Sequence, residues 1–224
     1  RKRKDFAAAH FQKGILLTDN DNKEEAISSF KEALKNPDEF SNYKLFQLAR
    51  PVCYYHIGEC YEKLNDYPSA IKYFNLALAD DPEYVDAIIG IGMVLDNDGK
   101  TDQAVIYLKK ALTIDESSAD TWYLLAGILK KTGKFEDAEE AYKKSINFDK
   151  NNVDIWLDLV DMVLENNEVE HSLELISDAQ IQHPNEVLFF MKRAECLFRE
   201  KKYHEAAGVL KEGLQLCNNQ SKDG

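Results

Sequence analysis

The stretch "DYPSAIKYFNLALADDPEY", residues 66–84, places Ala70, Phe74, Ala77 and Pro82 at offsets of 0, 4, 7 and 12. In "GKTDQAVIYLKKALTIDE", 34 residues later, the same offsets hold Ala104, Leu108, Ala111 and Glu116. "GKFEDAEEAYKKSINFDK", a further 34 residues on, gives Ala138, Tyr142, Ser145 and Lys150. Small or apolar residues at 0, 4 and 7 lie on one helical face. Their return at a fixed interval means one supersecondary unit written repeatedly.

Working outward in that register, units begin near Pro51, Val85, Ala119, Val153 and Val187, with Ala70, Ala104, Ala138, Ser172 and Ala206 at the anchor place. An earlier unit from Ala7 carries Ala26, Phe30 and Ala33. Six units are therefore expected, over 7–40, 51–84, 85–118, 119–152, 153–186 and 187–218. A basic tail (1–6), an insertion around 41–50 and a disordered tail (219–224) fall outside them. Tyr43 and Phe46 in the insertion, with Pro51 after it, suggest a short helical extension before the next helix begins.

Each unit reads as two helices. In "VCYYHIGECYEKL" Tyr54, Ile57, Gly58 and Tyr61 share one face. Asn65, Gly99, Gly133 and Asn167 then occupy one place in successive units. Asn and Gly tolerate the left-handed conformation that ends a helix. Asp81, Pro82 and Pro184 close their repeats. Period-two alternation is nowhere sustained, so the fold class is all-α, built of stacked antiparallel helix pairs. A lone pair cannot bury its apolar faces, and stacking completes the core.

Composition narrows the partners. The 224 residues are 44% hydrophobic and 30% charged, with a net charge of −12. That charge disfavours nucleic acid and anionic membranes, and no apolar run reaches membrane-spanning length. The opening "RKRKDF" has no Met and no apolar h-region, so no signal peptide is expected and the chain reads as a fragment or a processed form. Cys53, Cys60, Cys196 and Cys217 show no metal-type spacing. They read as small buried hydrophobes in a reduced, cytoplasmic protein.

No enzyme constellation emerges. His10, His56, His171, His183 and His204 form no H-E-x-x-H pair. Glu168 and His171 make one E-x-x-H where a di-iron bundle needs two. Gly90 and Gly92 follow no strand and lack the third glycine of a dinucleotide loop. The expectation is a non-catalytic chain with no metal and no cofactor.

These residues resemble the tetratricopeptide repeat, of length 34 and pattern W-x-x-L-G-x-x-Y…A-x-x-x-F…P. The second unit supplies Tyr54, Ile57, Gly58, Tyr61, Ala70, Phe74, Ala77 and Pro82; the fourth, Trp122, Leu125, Ala126, Leu129, Ala138 and Tyr142; the fifth opens with Trp156, Leu159 and Val160. The departures are Ser172 at an anchor alanine and Arg193 at a usual core leucine, which implies looser stacking in the sixth unit.

The resemblance implies a right-handed α-solenoid whose first helices line a concave, peptide-binding groove. Its groove places hold Phe11, Ile15, Val52, Tyr55, Glu59, Glu62, Asp86, Ile89, Met93 and Asp96 in the first three units. In the last three they hold Asp120, Tyr123, Lys130, Asp154, Leu157, Asp161, Leu164, Leu188, Met191 and Glu195. Asp86, Asp120 and Asp154 recur at one place, which favourable helix-dipole charge explains as well as ligand binding does. With Tyr55 and Tyr123 beside carboxylates, the implied ligand is a peptide or helix carrying Lys or Arg and apolar anchors. The carboxylate clamp that grips acidic chaperone tails needs Lys and Asn at the fifth and ninth places. Here Phe11, Tyr55, Ile89, Tyr123, Leu157 and Met191 fill the fifth, and Ile15, Glu59, Met93, Gly127, Asp161 and Glu195 the ninth. That partner is excluded. A self-associating array, or a regulatory arm of a larger protein, is the alternative reading.

Overall fold

The computed structural model describes residues 6–35 and 49–220. The described residues form twelve helices: α1 Phe6–Asp19, α2 Lys23–Leu34, α3 Ala49–Lys63, α4 Tyr67–Asp80, α5 Val85–Asn97 and α6 Thr101–Ile114, then α7 Ala119–Lys131, α8 Phe135–Phe148, α9 Val153–Glu165, α10 Val169–Gln182, α11 Val187–Arg199 and α12 Tyr203–Gln220. The described residues contain no strand. Contacts divide the chain into two compact units, Arg1–Glu116 and Ser117–Gly224. Three hairpins make up each unit, and the division falls on a repeat boundary.

One backbone device turns every hairpin. Asp21, Asn65, Gly99, Gly133, Asn167 and Lys201 all have φ between 58° and 77°. At each, the left-handed residue donates to the carbonyl three back and the next residue to the carbonyl five back. Asn65 N–H reaches Glu62 O at 2.8 Å and Asp66 N–H reaches Tyr61 O at 2.9 Å. These paired bonds satisfy the last carbonyls of the first helix. The sequence pattern identified the four Asn and Gly places; Asp21, which tolerates this conformation, and Lys201, which has no such aptitude, adopt it too.

The second helix then starts and stops cleanly. Asp66 accepts from Ser69 N–H at 3.2 Å, with Pro68 in the first turn of α4, where its missing N–H costs nothing. Asp81, Asp115, Asp149 and His183 end α4, α6, α8 and α10 with φ between −137° and −123°. Asp81 and Asp149 also accept from the backbone two residues on, at 3.2 Å each, fixing the sharp reversal into the next first helix.

In the first unit, Phe30, Cys53, Ile57 and Cys60 pack with Ala26 and Ala33 between the opening hairpins. Phe74, flanked by the small residues Ala70 and Ala77, fills the same role one repeat later and is fully buried. Lys31 reaches across to the Tyr61 hydroxyl at 3.0 Å and lies 5.4 Å from the Tyr61 and Tyr73 ring centroids. In the second unit Leu125, Leu129, Tyr142, Leu159 and Ile176 form the corresponding core. Ser145 donates to Ala119 O at 2.8 Å, and Ser172 to Glu168 O at 3.0 Å. The substituted anchor in the fifth unit is thus a buried hydroxyl whose proton is used inside its own helix.

Several expectations change on contact with the structure. Cys217 is exposed, whereas the other three thiols are buried. Leu164, expected in the groove, is 1% exposed: its carbonyl accepts from Arg199, and its side chain is in the core of the second unit. Arg193 stands exposed on α11 rather than in the core. Helix α12 runs to Gln220, two residues into the stretch read as a tail. Tyr43, Phe46 and most of the 41–50 insertion lie outside the described residues; Pro51 sits in the first turn of α3.

Candidate protein-contact site

Helices α3 and α5 are consecutive first helices of the first unit, and a cleft of about 360 Å³ opens between them. Tyr55, Glu59 and Glu62 project from α3 on one helical face; Asp86, Ile89 and Met93 project from α5, the last two at the places of Tyr55 and Glu59. All six are residues expected at the groove. The structure adds four that the place-counting missed: Lys63, Asn97, Gly90 and Phe74. Phe74 belongs to α4 and enters from below because Gly90 has no side chain to block it. Only a three-dimensional relation could reveal that contribution.

The polar groups of the cleft are held in specific states. Tyr55 packs on Phe74 and Tyr84, with centroids 5.7 and 5.6 Å away, and donates its hydroxyl to Glu59 at 3.0 Å. Burial, reinforced by the Glu59 charge, pushes the Tyr55 hydroxyl far up, so it stays a neutral donor. His56 Nδ1 meets the other Glu59 oxygen at 2.7 Å. Burial, then the neighbouring Glu59 charge, also raises Glu62, whose contact to Asn97 Nδ2 is long at 3.3 Å. Three carboxylates therefore share the cleft with a single lining cation, Lys63. A positive ligand group would relieve that repulsion.

The corresponding face of the second unit is differently arranged. Tyr123 donates to Asp158 at 2.5 Å and meets Tyr142 edge-on at 6.0 Å. That hydrogen bond, together with burial, pushes its hydroxyl up to about 12. Asp161 is paired with Lys192 at 2.5 Å, and Glu195 with Arg199 at 2.9 Å and Lys192 at 3.5 Å. Asp161 and Glu195 thus already have cationic partners from α11, which counting groove places alone did not show. Asp120 and Asp154 are exposed in the first turns of α7 and α9, as Asp86 is in α5. Leu157 is half-buried between the charged groups. A separate cleft of about 470 Å³ at the hairpin turns is lined by Phe135, Glu136, Met162 and Glu168 among others. Its Glu139 is paired with Lys143 at 2.6 Å and His171 at 2.9 Å. Among the described residues no group of side chains could hold a metal ion, and no helix is long and apolar enough to cross a membrane.

Repeated antiparallel hairpins, with first helices aligned along one face of each unit, define a helical-repeat protein of the kind that holds other proteins. The comparisons agree. A tetratricopeptide repeat model matches residues 7–37, and a model described as anaphase-promoting complex, cyclosome, subunit 3 matches residues 63–145. Among solved structures, the C-terminal part of a TPR repeat-containing protein from Cytophaga hutchinsonii superposes with a TM-score of 0.71 at 18% identity, covering 94% of this chain and 80% of that one. MamA gives a TM-score of 0.62 at 20% identity over 77% of this chain and 94% of its own. YrrB, a TPR protein with an unusual peptide-binding site, gives 0.56 at 16% over 74% and 86%. No curated protein matches in sequence. Residues 7–37 match the tetratricopeptide repeat itself and the chain has the fold of tetratricopeptide repeat proteins, which are generally interaction scaffolds rather than catalysts. At these identities the structural likeness is one of fold.

Proposed function

We propose that the chain is a non-catalytic scaffold, and that the α3–α5 cleft of its first unit binds a peptide or helix presenting Lys or Arg beside apolar side chains. The observation that carries this reading is the surplus of carboxylates over apolar ground: Glu59, Glu62 and Asp86 around Tyr55, Ile89 and Met93. Apolar anchors supply most of the affinity, and the carboxylates steer and select. Asp120, Tyr123, Asp154, Leu157 and Asp161 form a separate candidate surface on the second unit, with less free charge. Free thiols at all four cysteines fit a reducing, cytoplasmic setting.

Isothermal titration with a peptide of alternating Lys and Leu, against its Glu/Leu counterpart, tests the cleft. The basic peptide should bind, weaken with added salt, and lose about tenfold or more in affinity to Glu59→Gln/Glu62→Gln. Equal binding of both peptides, or no effect of the double variant, would reject this site.

A further inference from the structure

In the second unit, side chains at the sixth place of a first helix reach back to the first helix before it. Asp158, at that place on α9, accepts from Tyr123 of α7 at 2.5 Å. Lys192, at the same place on α11, reaches Asp161 of α9 at 2.5 Å and Glu195 of its own helix at 3.5 Å. Its ammonium bridges two carboxylates, and the side chain is 26% exposed.

The α3–α5 cleft is the same junction with that side chain missing. Glu59 holds on α3 the place that Asp161 holds on α9, and Gly90 holds on α5 the place of Lys192 on α11. Both pairs are separated by 31 residues. Phe74 corresponds in turn to the smaller Ile176, and both are fully buried. The phenylalanine ring takes the room that a Cβ on Gly90 would need. Beyond the ring the cleft stays open.

With no side chain arriving from α5, Glu59 is served from within α3. The Tyr55 hydroxyl donates to one of its oxygens at 3.0 Å, and His56 Nδ1 meets the other at 2.7 Å. One partner on each oxygen leaves each able to accept again. Glu62 stands one turn further along, with its long contact to Asn97. Lys63 is in the lining yet forms no ion pair with either carboxylate among the described residues.

On the reading of the cleft as a basic-ligand site, we propose that the ligand inserts one lysine side chain, in the place that Lys192 fills in the second unit. The stem lies over Phe74 and Met93, and the ammonium donates to Glu59 and Glu62. The second unit is then a latent copy of the site, kept closed by its own Lys192. One cation satisfies the place. Further basic residues in a ligand add steering but no second contact of this kind.

Isothermal titration tests this with a peptide carrying one central Lys among Leu and Ser, its norleucine counterpart, and the alternating Lys/Leu peptide. At about 0.15 M salt, where steering is largely screened, the single-Lys peptide should bind one per chain within about threefold of the alternating one. Norleucine keeps the stem and removes the charge, and should cost about tenfold or more. Lys192→Ala should raise the stoichiometry to two per chain, and Lys192→Ala/Asp161→Asn should return it to one, with circular dichroism unchanged. A norleucine peptide that binds as well as the lysine one overturns the inference and leaves the cleft reading in place. So does a single-Lys peptide far weaker than the alternating one, a wild type that already binds two, or a Lys192→Ala chain that still binds one. Failure of the alternating Lys/Leu peptide to bind wild type removes the cleft reading, and this inference with it.

Discussion

Gly90 lies so close to Phe74 that a Cβ on the glycine would stand 2.7 Å from the ring's Cζ. Gly58 presses from the other side, where a Cβ would be 2.6 Å from Cε1. The phenylalanine of α4 is thus clasped by the two first helices whose outer faces form the candidate cleft. Packing and site share one ring.

Gly90→Ala should therefore destabilise the first unit by about 1–3 kcal/mol, as overpacked cores do. Phe74→Leu in the same chain should return part of that loss, because the two positions are in contact. Gly127 in α7 is the control: a Cβ there meets nothing within 4 Å. Gly127→Ala should stabilise by roughly 0.5–1 kcal/mol through helix propensity alone. Urea unfolding of the three variants checks all of these outcomes.

Lys201 turns the last hairpin at φ 62°, where two of its register mates are the glycines Gly99 and Gly133. A Cβ in this conformation costs roughly 1–2 kcal/mol. Lys201→Gly should raise stability by about 1 kcal/mol, less the added chain entropy of glycine. Thermal melts against wild type give the sign directly.

Glu62 carries a pH dependence of determinate sign. Its carboxyl titrates above the ordinary 4.5 because burial and then Glu59 disfavour its charge. Between 4.5 and that raised value the native chain binds more protons at this site than the unfolded one, so the contribution to stability falls as pH rises through the window. Glu62→Gln should flatten the melting temperature over that interval and raise it at pH 7. Basic-peptide affinity in the wild type should fall as the carboxyl protonates on acidification.

Thiol chemistry separates the cysteines. Burial pushes the Cys53 thiol up to about 12, and burial with the Glu195 charge pushes Cys196 up to about 11. Cys60 is buried too, whereas Cys217 is exposed. Ellman's reagent at pH 8 should modify one thiol per native chain quickly and the other three only on unfolding. Cys217→Ser should remove the fast phase.

The sequence alone determined the hairpins, their period and their turns, because these depend on neighbours within a few residues. Ala70, Phe74 and Ala77 mark a helical face, and Asn65 or Gly99 a left-handed stop, wherever the helix lies. The resemblance carried by those residues implied which side chains leave α3 and α5 towards a common side, Tyr55, Glu59, Asp86, Ile89 and Met93 among them. The tertiary structure alone decided which of those groups remain available. Asp161 draws Lys192 from α11, Tyr123 spends its proton on Asp158, and Phe74 enters the cleft through the space Gly90 leaves. Such pairings join residues on different helices through side-chain reach and packing, and the 34-residue register does not encode them.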